Sequence, residues 1–175
     1  MRVTVIGDAF IDIIVQLDNM KPGGTYHKRI VNSCGGTANV AIQTSKQIKN
    51  VNFVGKVGND ALGRYFIEEL KKHHIKPLVF YGKESPTGIC ISLVEVSGER
   101  TMVADRGAND CITGDELYSV EEAVIHSDIV YFSGYSFISK RNYDSYISLL
   151  EKCEENSCKI VFNPGAPNII NFNFI

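Results

Sequence analysis

Asp12, the pair Gly35-Gly36 and Asn39 are the residues of this 175-residue chain whose types and spacing could do chemistry. A carboxylate offers paired acceptor oxygens, which suit two neighbouring hydroxyls. Asp12 follows the apolar run Val3-Thr4-Val5-Ile6-Gly7. A carboxylate just past the end of a first parallel strand stands where open α/β sheets bind ligands. On position alone a cap or turn role fits Asp12 equally well. Gly35 and Gly36 allow close backbone approach and positive φ, and they are expected to open a helix with Asn39 in its first turn. The free N–H groups of a helix start can hold a hydroxyl, a phosphate or another electron-rich group. Along that helix Ala38, Ala41, Ile42, Ser45 and Ile48 make one small apolar face. Asn39 lies off that face.

Other chemistries find little footing. Neither G-x-G-x-x-G nor G-x-x-x-x-G-K-[ST] occurs, so a Rossmann dinucleotide site and a Walker loop are both unsupported. The five cysteines (Cys34, Cys90, Cys111, Cys153, Cys158) are scattered without a C-x-x-C, which predicts reduced thiols, and Cys34 reads as a small buried hydrophobe. The four histidines (His27, His73, His74, His126) show no ligand spacing, so no protein-built metal site is expected. A net charge of −2 gives no electrostatic reason to expect nucleic acid or an anionic membrane as a partner. No apolar run has the length of a bilayer span, and Gly7, Asp8 and Asp12 break any signal-peptide pattern, which predicts a cytoplasmic protein.

The elements that must position these residues alternate in type. Short apolar runs begin at Val3, Val51, Leu78, Ile129 and Ile160, with helical patterns between them. That is the signature of one α/β domain over residues 1–175, a parallel sheet flanked by helices. Asp60 is placed to cap a helix with Leu62, Tyr65, Phe66 and Leu70 on one side. Thr113 and Glu116 form a capping box ahead of Leu117, Val120 and Val124. Ser139 is expected to cap a last helix turning Tyr143, Ile147 and Leu150 inward. Two segments, about 13–31 and 87–104, are half-polar and strand-like, and in the second Ser97-Gly98 reads as a two-residue hairpin turn. The tail 168–175 is apolar.

Gly-Gly-x-x-Asn from Gly35 to Asn39 is followed by Gly-x-Val-Gly-x-Asp-x-x-Gly from Gly55 to Gly63. The pair resembles the N-terminal signature of the ribokinase-like (PfkB) carbohydrate kinases. Further matches are G-x-x-x-x-Asp ending at Asp12, Thr87-Gly88 with Gly98-Glu99-Arg100, Gly107-Ala108-Asn109 and Ser133-Gly134-Tyr135. The resemblance implies that Asp12, Gly35, Gly36 and Asn39 bind substrate, and that 13–31 and 87–104 form a small β-sheet lid. It implies ATP and Mg2+, with a monovalent cation as a further candidate, and a homodimer built through the lid. Ribokinases carry Asn where this chain has Phe10, so a sugar or a nucleoside remains open as substrate. An aromatic side chain at Phe10 would suit stacking on a base.

The family's Asn-x-x-Glu motif for magnesium and phosphate does not occur here. Its Gly-Ala-Gly-Asp segment, with the anion hole and general base, is also absent. The chain therefore reads as the substrate-binding and lid portion of such a kinase, without its catalytic half. A non-catalytic, half-length ligand-binding or dimerisation module is the other reading.

Overall fold

The computed structural model describes residues 1–17, 23–24, 30–139 and 142–165. Five strands form the main sheet: β1 (Arg2–Ile6), β4 (Asn50–Gly58), β5 (Lys76–Gly82), β8 (Ile129–Ser133) and β9 (Lys159–Asn163). Their order is β5-β4-β1-β8-β9, and every neighbouring pair runs parallel. The central strands are buried on both faces, which explains their near-continuous Val, Ile and Phe. A second sheet has the order β3-β2-β6-β7, from β2 (Ala9–Leu17), β3 (Ile30–Gly36), β6 (Gly88–Glu95) and β7 (Arg100–Asp105). Both half-polar segments thus contribute to one sheet distinct from the main one. Its strands begin earlier than residue 13 and continue past residue 31. Residues 18–22 and 25–29 of the first segment, and the apolar tail, lie outside the described residues.

The main sheet separates two cores. On one side α1 (Ala38–Ser45) and α2 (Ala61–Lys72) cover Val3, Val5, Phe53 and Val57, with Ala9 and Ile11 of the second sheet joining them. On the other side α3 (Gly114–Ile125) and α4 (Tyr143–Glu155) cover Ile6, Val54, Val130 and Phe132. Capping follows the sequence closely. The Asp60 side chain accepts from Gly63 N–H at α2, and Thr113 with Glu116 closes a full capping box at α3. α2 and α4 end alike. His74 and Ser157 have positive φ, and the N–H groups of Ile75 and Cys158 donate back to the carbonyls of Leu70 and Cys153. Two apolar contacts, Leu70 with Ile75 and Cys153 with Cys158, complete these Schellman ends. Among the described residues no helix is long and apolar enough to cross a membrane.

Four local expectations need correction. Asp12 does not follow the first strand as a loop residue; it is the fourth residue of β2, because the strand already begins at Ala9 in the buried run Ala9-Phe10-Ile11. The glycine pair closes β3, and α1 starts only at Ala38 after Thr37. The β6–β7 turn holds three residues, Val96, Ser97 and Gly98. Glu95 pairs with Glu99, and Gly98 at φ 88° restores a strand twist that a plain type I turn would splay. Ser139 does not cap α4. Its carbonyl accepts from Asn142 N–H, and the helix begins at Tyr143. Phe137 sets that start, with its ring centroid 5.9 Å from Tyr143 and 5.3 Å from Tyr146. The fully buried face is consequently Tyr146, Leu149 and Cys153.

Asp60 does more than cap. Its carboxylate also accepts from the Thr87 N–H at 2.8 Å and the Thr87 hydroxyl at 2.7 Å, tying α2 to the root of β6. Burial raises its pKa, but the hydrogen bonds from Thr87 and Gly63 outweigh this and hold it below the ordinary carboxylate value. A depressed folded value gives stability that is present above the unfolded pKa of about 3.9 and is lost as pH falls through the folded value. Asp60→Ala is expected to lower the unfolding free energy by about 1–2 kcal/mol at pH 7. In urea titrations the gap between wild type and variant should close as pH drops below about 4. A gap independent of pH would remove the Asp60 charge from this account.

Candidate functional site

The site is built where the chain passes between the two sheets, at the C-terminal end of β1. Asp12 pairs with Ser33 across β2–β3, and Phe10 pairs with Gly35. The Asp12 carboxyl group lies directly over Gly35, since a Cβ there would sit 2.0 Å from its Cγ and Oδ1. With the carboxylate held there, any side chain at residue 35 would displace it. Gly36 then turns at φ 60° to deliver the chain into α1, and a Cβ on it would come 2.7 Å from the Asp8 carbonyl. Three of the expected residues therefore come together, each glycine with a steric reason.

Asp12 is half-buried, and burial raises its carboxyl pKa. Among the described residues none donates a hydrogen bond to it. Two residues beyond Gly35 lies Thr37 at the N-cap of α1, without a side-chain cap, its own N–H bound to Asp8 O at 3.0 Å. The N–H groups of Ala38 and Asn39 have no acceptor among the described residues, so the helix start is open. Asn39 is exposed in this first turn, and among the described residues no hydrogen bond joins it to Asp12. An acceptor-only carboxylate beside free donors and an exposed amide can take hold of a polyhydroxylated ligand. Phe10 is largely covered. Its ring is 9 % exposed and wedged between Gly36 and Gly88.

The sequence reading missed the polar framework beneath this site. Arg106 at the end of β7 makes a bidentate pair with Asp8, 2.7 Å from Nη1 to Oδ2 and 3.1 Å from Nη2 to Oδ1. Its Nε donates to Asp110 at 2.6 Å and its Nη2 to the Tyr135 carbonyl at 3.2 Å. Burial lifts the Asp8 carboxyl, with Arg106 opposing it; for Arg106, burial is outweighed by Asp8 and Asp110, which hold the guanidinium charged. The fork geometry decides between these tendencies, and the pair is ionised at neutral pH. Asn109, seen in the sequence only as part of Gly-Ala-Asn, clamps both backbone groups of Ala9. Its Oδ1 accepts from Ala9 N–H at 2.7 Å, and its Nδ2 donates to Ala9 O at 3.0 Å. Asp8 and Arg106 are 98 residues apart, so no local pattern could have paired them.

Lys56, within the Gly-x-Val-Gly stretch, is 6 % exposed and reaches Glu116 at 2.8 Å and the Cys111 carbonyl at 2.7 Å. It fastens β4 to the α3 capping box and takes no part in the site. Among the described residues no group of three or more His, Cys, Asp or Glu could hold a metal ion.

A parallel sheet flanked by helices and a small second sheet rooted at its C-terminal end define the class of fold, an α/β protein with two sheets. Residues 1–170 match the family model described as "pfkB family carbohydrate kinase", and the chain belongs to that family. It is 26 % identical over 134 residues to a ribokinase of Staphylococcus aureus, covering 74 % of this chain and 44 % of the relative. It is 30 % identical over 115 residues to an uncharacterized sugar kinase of Archaeoglobus fulgidus, covering 66 % of this chain and 44 % of that one. The solved structure of ribokinase from Giardia lamblia superposes with a TM-score of 0.85 at 24 % identity, over 99 % of this chain and 53 % of its own, a likeness of fold. The chain thus spans about half the length of the relatives it matches.

Breaking a buried ion pair by removing one partner costs about 3–5 kcal/mol, because the other charge stays desolvated. Arg106→Ala is expected to lower the unfolding free energy by about 3 kcal/mol, with Asp8→Asn recovering part of the loss in the double variant. Urea unfolding of the four proteins measures the coupling. Additive losses would mean that the pair does not act as a unit.

Proposed function

We propose that this chain is the acceptor-binding and lid portion of an ATP-dependent sugar kinase, in which Asp12 and Asn39 hold hydroxyls of the sugar while Gly35 and Gly36 let it approach the backbone. One observation carries the reading. A half-buried carboxylate without a donor among the described residues lies across a glycine, at the doorstep of an uncapped helix. Asp12 would accept from two neighbouring hydroxyls, which offsets the desolvation it already suffers. The relatives' names, ribokinase and sugar kinase, favour a sugar. The burial of Phe10 favours a sugar over a nucleoside, because little of the ring is left for a base.

The lid role falls to the second sheet. Beyond Asp12 on the same face of β2 lies Ile14, opposite Val31 on β3. Ile14 is 38 % exposed and Val31 44 % exposed, and Met102 on β7 is 55 % exposed. An apolar sheet face of this kind needs cover, from a bound sugar or from the same sheet of a second copy. The homodimer through the lid follows from that need, and a cytoplasmic setting follows from the substrate class.

Phosphoryl transfer needs more than a held acceptor. It requires charge stabilisation around the transferring group and a base for the attacking hydroxyl. Among the described residues no group of three or more His, Cys, Asp or Glu is gathered, and we assign no Mg2+ ligands to them. Neither Asn-x-x-Glu nor Gly-Ala-Gly-Asp occurs to bind ATP phosphates or supply the base. This chain orients the acceptor; the rest of the chemistry belongs to elements outside its 175 residues.

Two measurements test the reading. Saturation-transfer NMR with ribose, fructose, 2-keto-3-deoxygluconate and adenosine should show contact with at least one sugar, lost in Asp12→Ala. Signals unchanged by Asp12→Ala would sink the site assignment. A coupled assay with ATP and the same four compounds should give no turnover, and turnover in a preparation free of host kinase would refute the missing-half reading.

A further inference from the structure

We infer that the opposite end of the main sheet holds a second binding site, for a compact polyanion. A cavity of about 320 Å³ opens where β1, β4 and β5 begin, lined by Arg2, Lys49, Asn50, Asn52, His74 and Lys76 together with Val51 and Ala123. The strand register assembles this lining. Arg2 lies beside Asn50, and Asn52 lies between Thr4 and Lys76. Because the main sheet is parallel, these strand starts are remote from the junction at the ends of β1 and β4 where Asp12 sits. The site therefore stands or falls independently of the proposed sugar-binding role.

The charge of the lining is one-sided. The whole chain carries 18 basic and 20 acidic residues, yet this cavity gathers an arginine, two lysines and a histidine with no acidic wall. Among the described residues none of these four side chains forms an ion pair with a carboxylate. Arg2 reaches only the His126 carbonyl, at 3.5 Å. Asp128, the nearby acid, is engaged by the Arg2 backbone N–H and lies 3.8 Å from the chain's terminal ammonium. Compensation of a helix dipole does not explain the group, since the last turn of α2 already has Lys71 and Lys72.

The floor is polar. Asn52 is 8 % exposed and donates to the Thr4 hydroxyl at 3.0 Å, which meets the Ser127 hydroxyl at 2.7 Å. Further up the same face the row becomes Ile6, Val54 and Leu78. Such a buried polar row fixes the Asn52 side chain at the cavity floor.

A concavity of this size lies at the small end of ligand sites. Unpaired cations on three adjacent strand starts match a ligand with two or more neighbouring acid groups, phosphoryl or carboxylate, in a small metabolite.

The test uses the whole chain, with pyrophosphate and citrate as probes in isothermal titration at 20 and 150 mM salt. Saturable one-to-one binding that weakens with salt is expected. Lys49→Gln with Lys76→Gln should weaken it at least tenfold, while Lys152→Gln, on the remote α4, should not change it. These lysines are exposed, so the variants should fold, and circular dichroism checks this. Preference for pyrophosphate assigns a phosphoryl ligand, and preference for citrate assigns a carboxylate one. Absence of saturation, or equal affinity in the double variant, overturns the inference.

Discussion

The structure depends on how its two sheets are fastened where the chain crosses between them. It crosses at Gly7-Asp8, at Thr37, through residues 83–87 and at Arg106. Each crossing exposes backbone groups that neither sheet can pair, and buried backbone groups without partners are costly. Side chains supply what is missing. Asn109 pairs both groups of Ala9, Asp60 takes the N–H of Thr87, and Thr87 in turn takes the N–H of Gly58 at 3.0 Å. Arg106 spans the largest gap, joining Asp8, Asp110 and the Tyr135 carbonyl. These clamps fix the root of β2, and four residues from Asp8 that strand places Asp12 over Gly35.

Signals that depend on near neighbours were legible in the sequence. The five parallel strands appeared as apolar runs, and the Asp60 cap and the Thr113 box needed only three residues of context. The second sheet was legible as half-polar alternation, though its true start at Ala9 hid inside a run that looks uniformly apolar. The α4 face shifted by a residue or so because Phe137, outside the helix, decides where the helix begins. What no pattern could reveal was pairing at a distance. Asp8 looked like a loop residue, and Asn109 looked like a motif letter without a task. The candidate site residues were singled out by type and spacing, while the groups that hold them in place were not.

The main sheet has unequal edges. At β5 the strand is half-covered, with Leu78 and Phe80 packed against the α3–α4 core. At β9 four of five residues are exposed, including Val161 at 47 % and Phe162 at 36 %. Parallel strands are stable when both faces are covered. An apolar strand left this open fits a chain that spans about half the length of the relatives it matches.

Three aspartates near the junction show how one residue type is put to three uses. Asp8 is buried most deeply and is neutralised by a fork of guanidinium donors. Asp60 is only partly buried and is satisfied by three donors from Gly63 and Thr87, enough to hold its carboxyl below the ordinary value. Asp12 is half-buried and receives none among the described residues, so burial alone acts on it and raises its carboxyl. A protein that needed Asp12 only for its fold would lose little by placing a neutral residue there, since a desolvated carboxylate without donors is a cost. The glycine beneath it leaves room for the carboxyl group in this position. The expense becomes intelligible when the donors come from outside. In the function proposed above, hydroxyl groups of a sugar complete at Asp12 what Thr87 and Gly63 complete at Asp60.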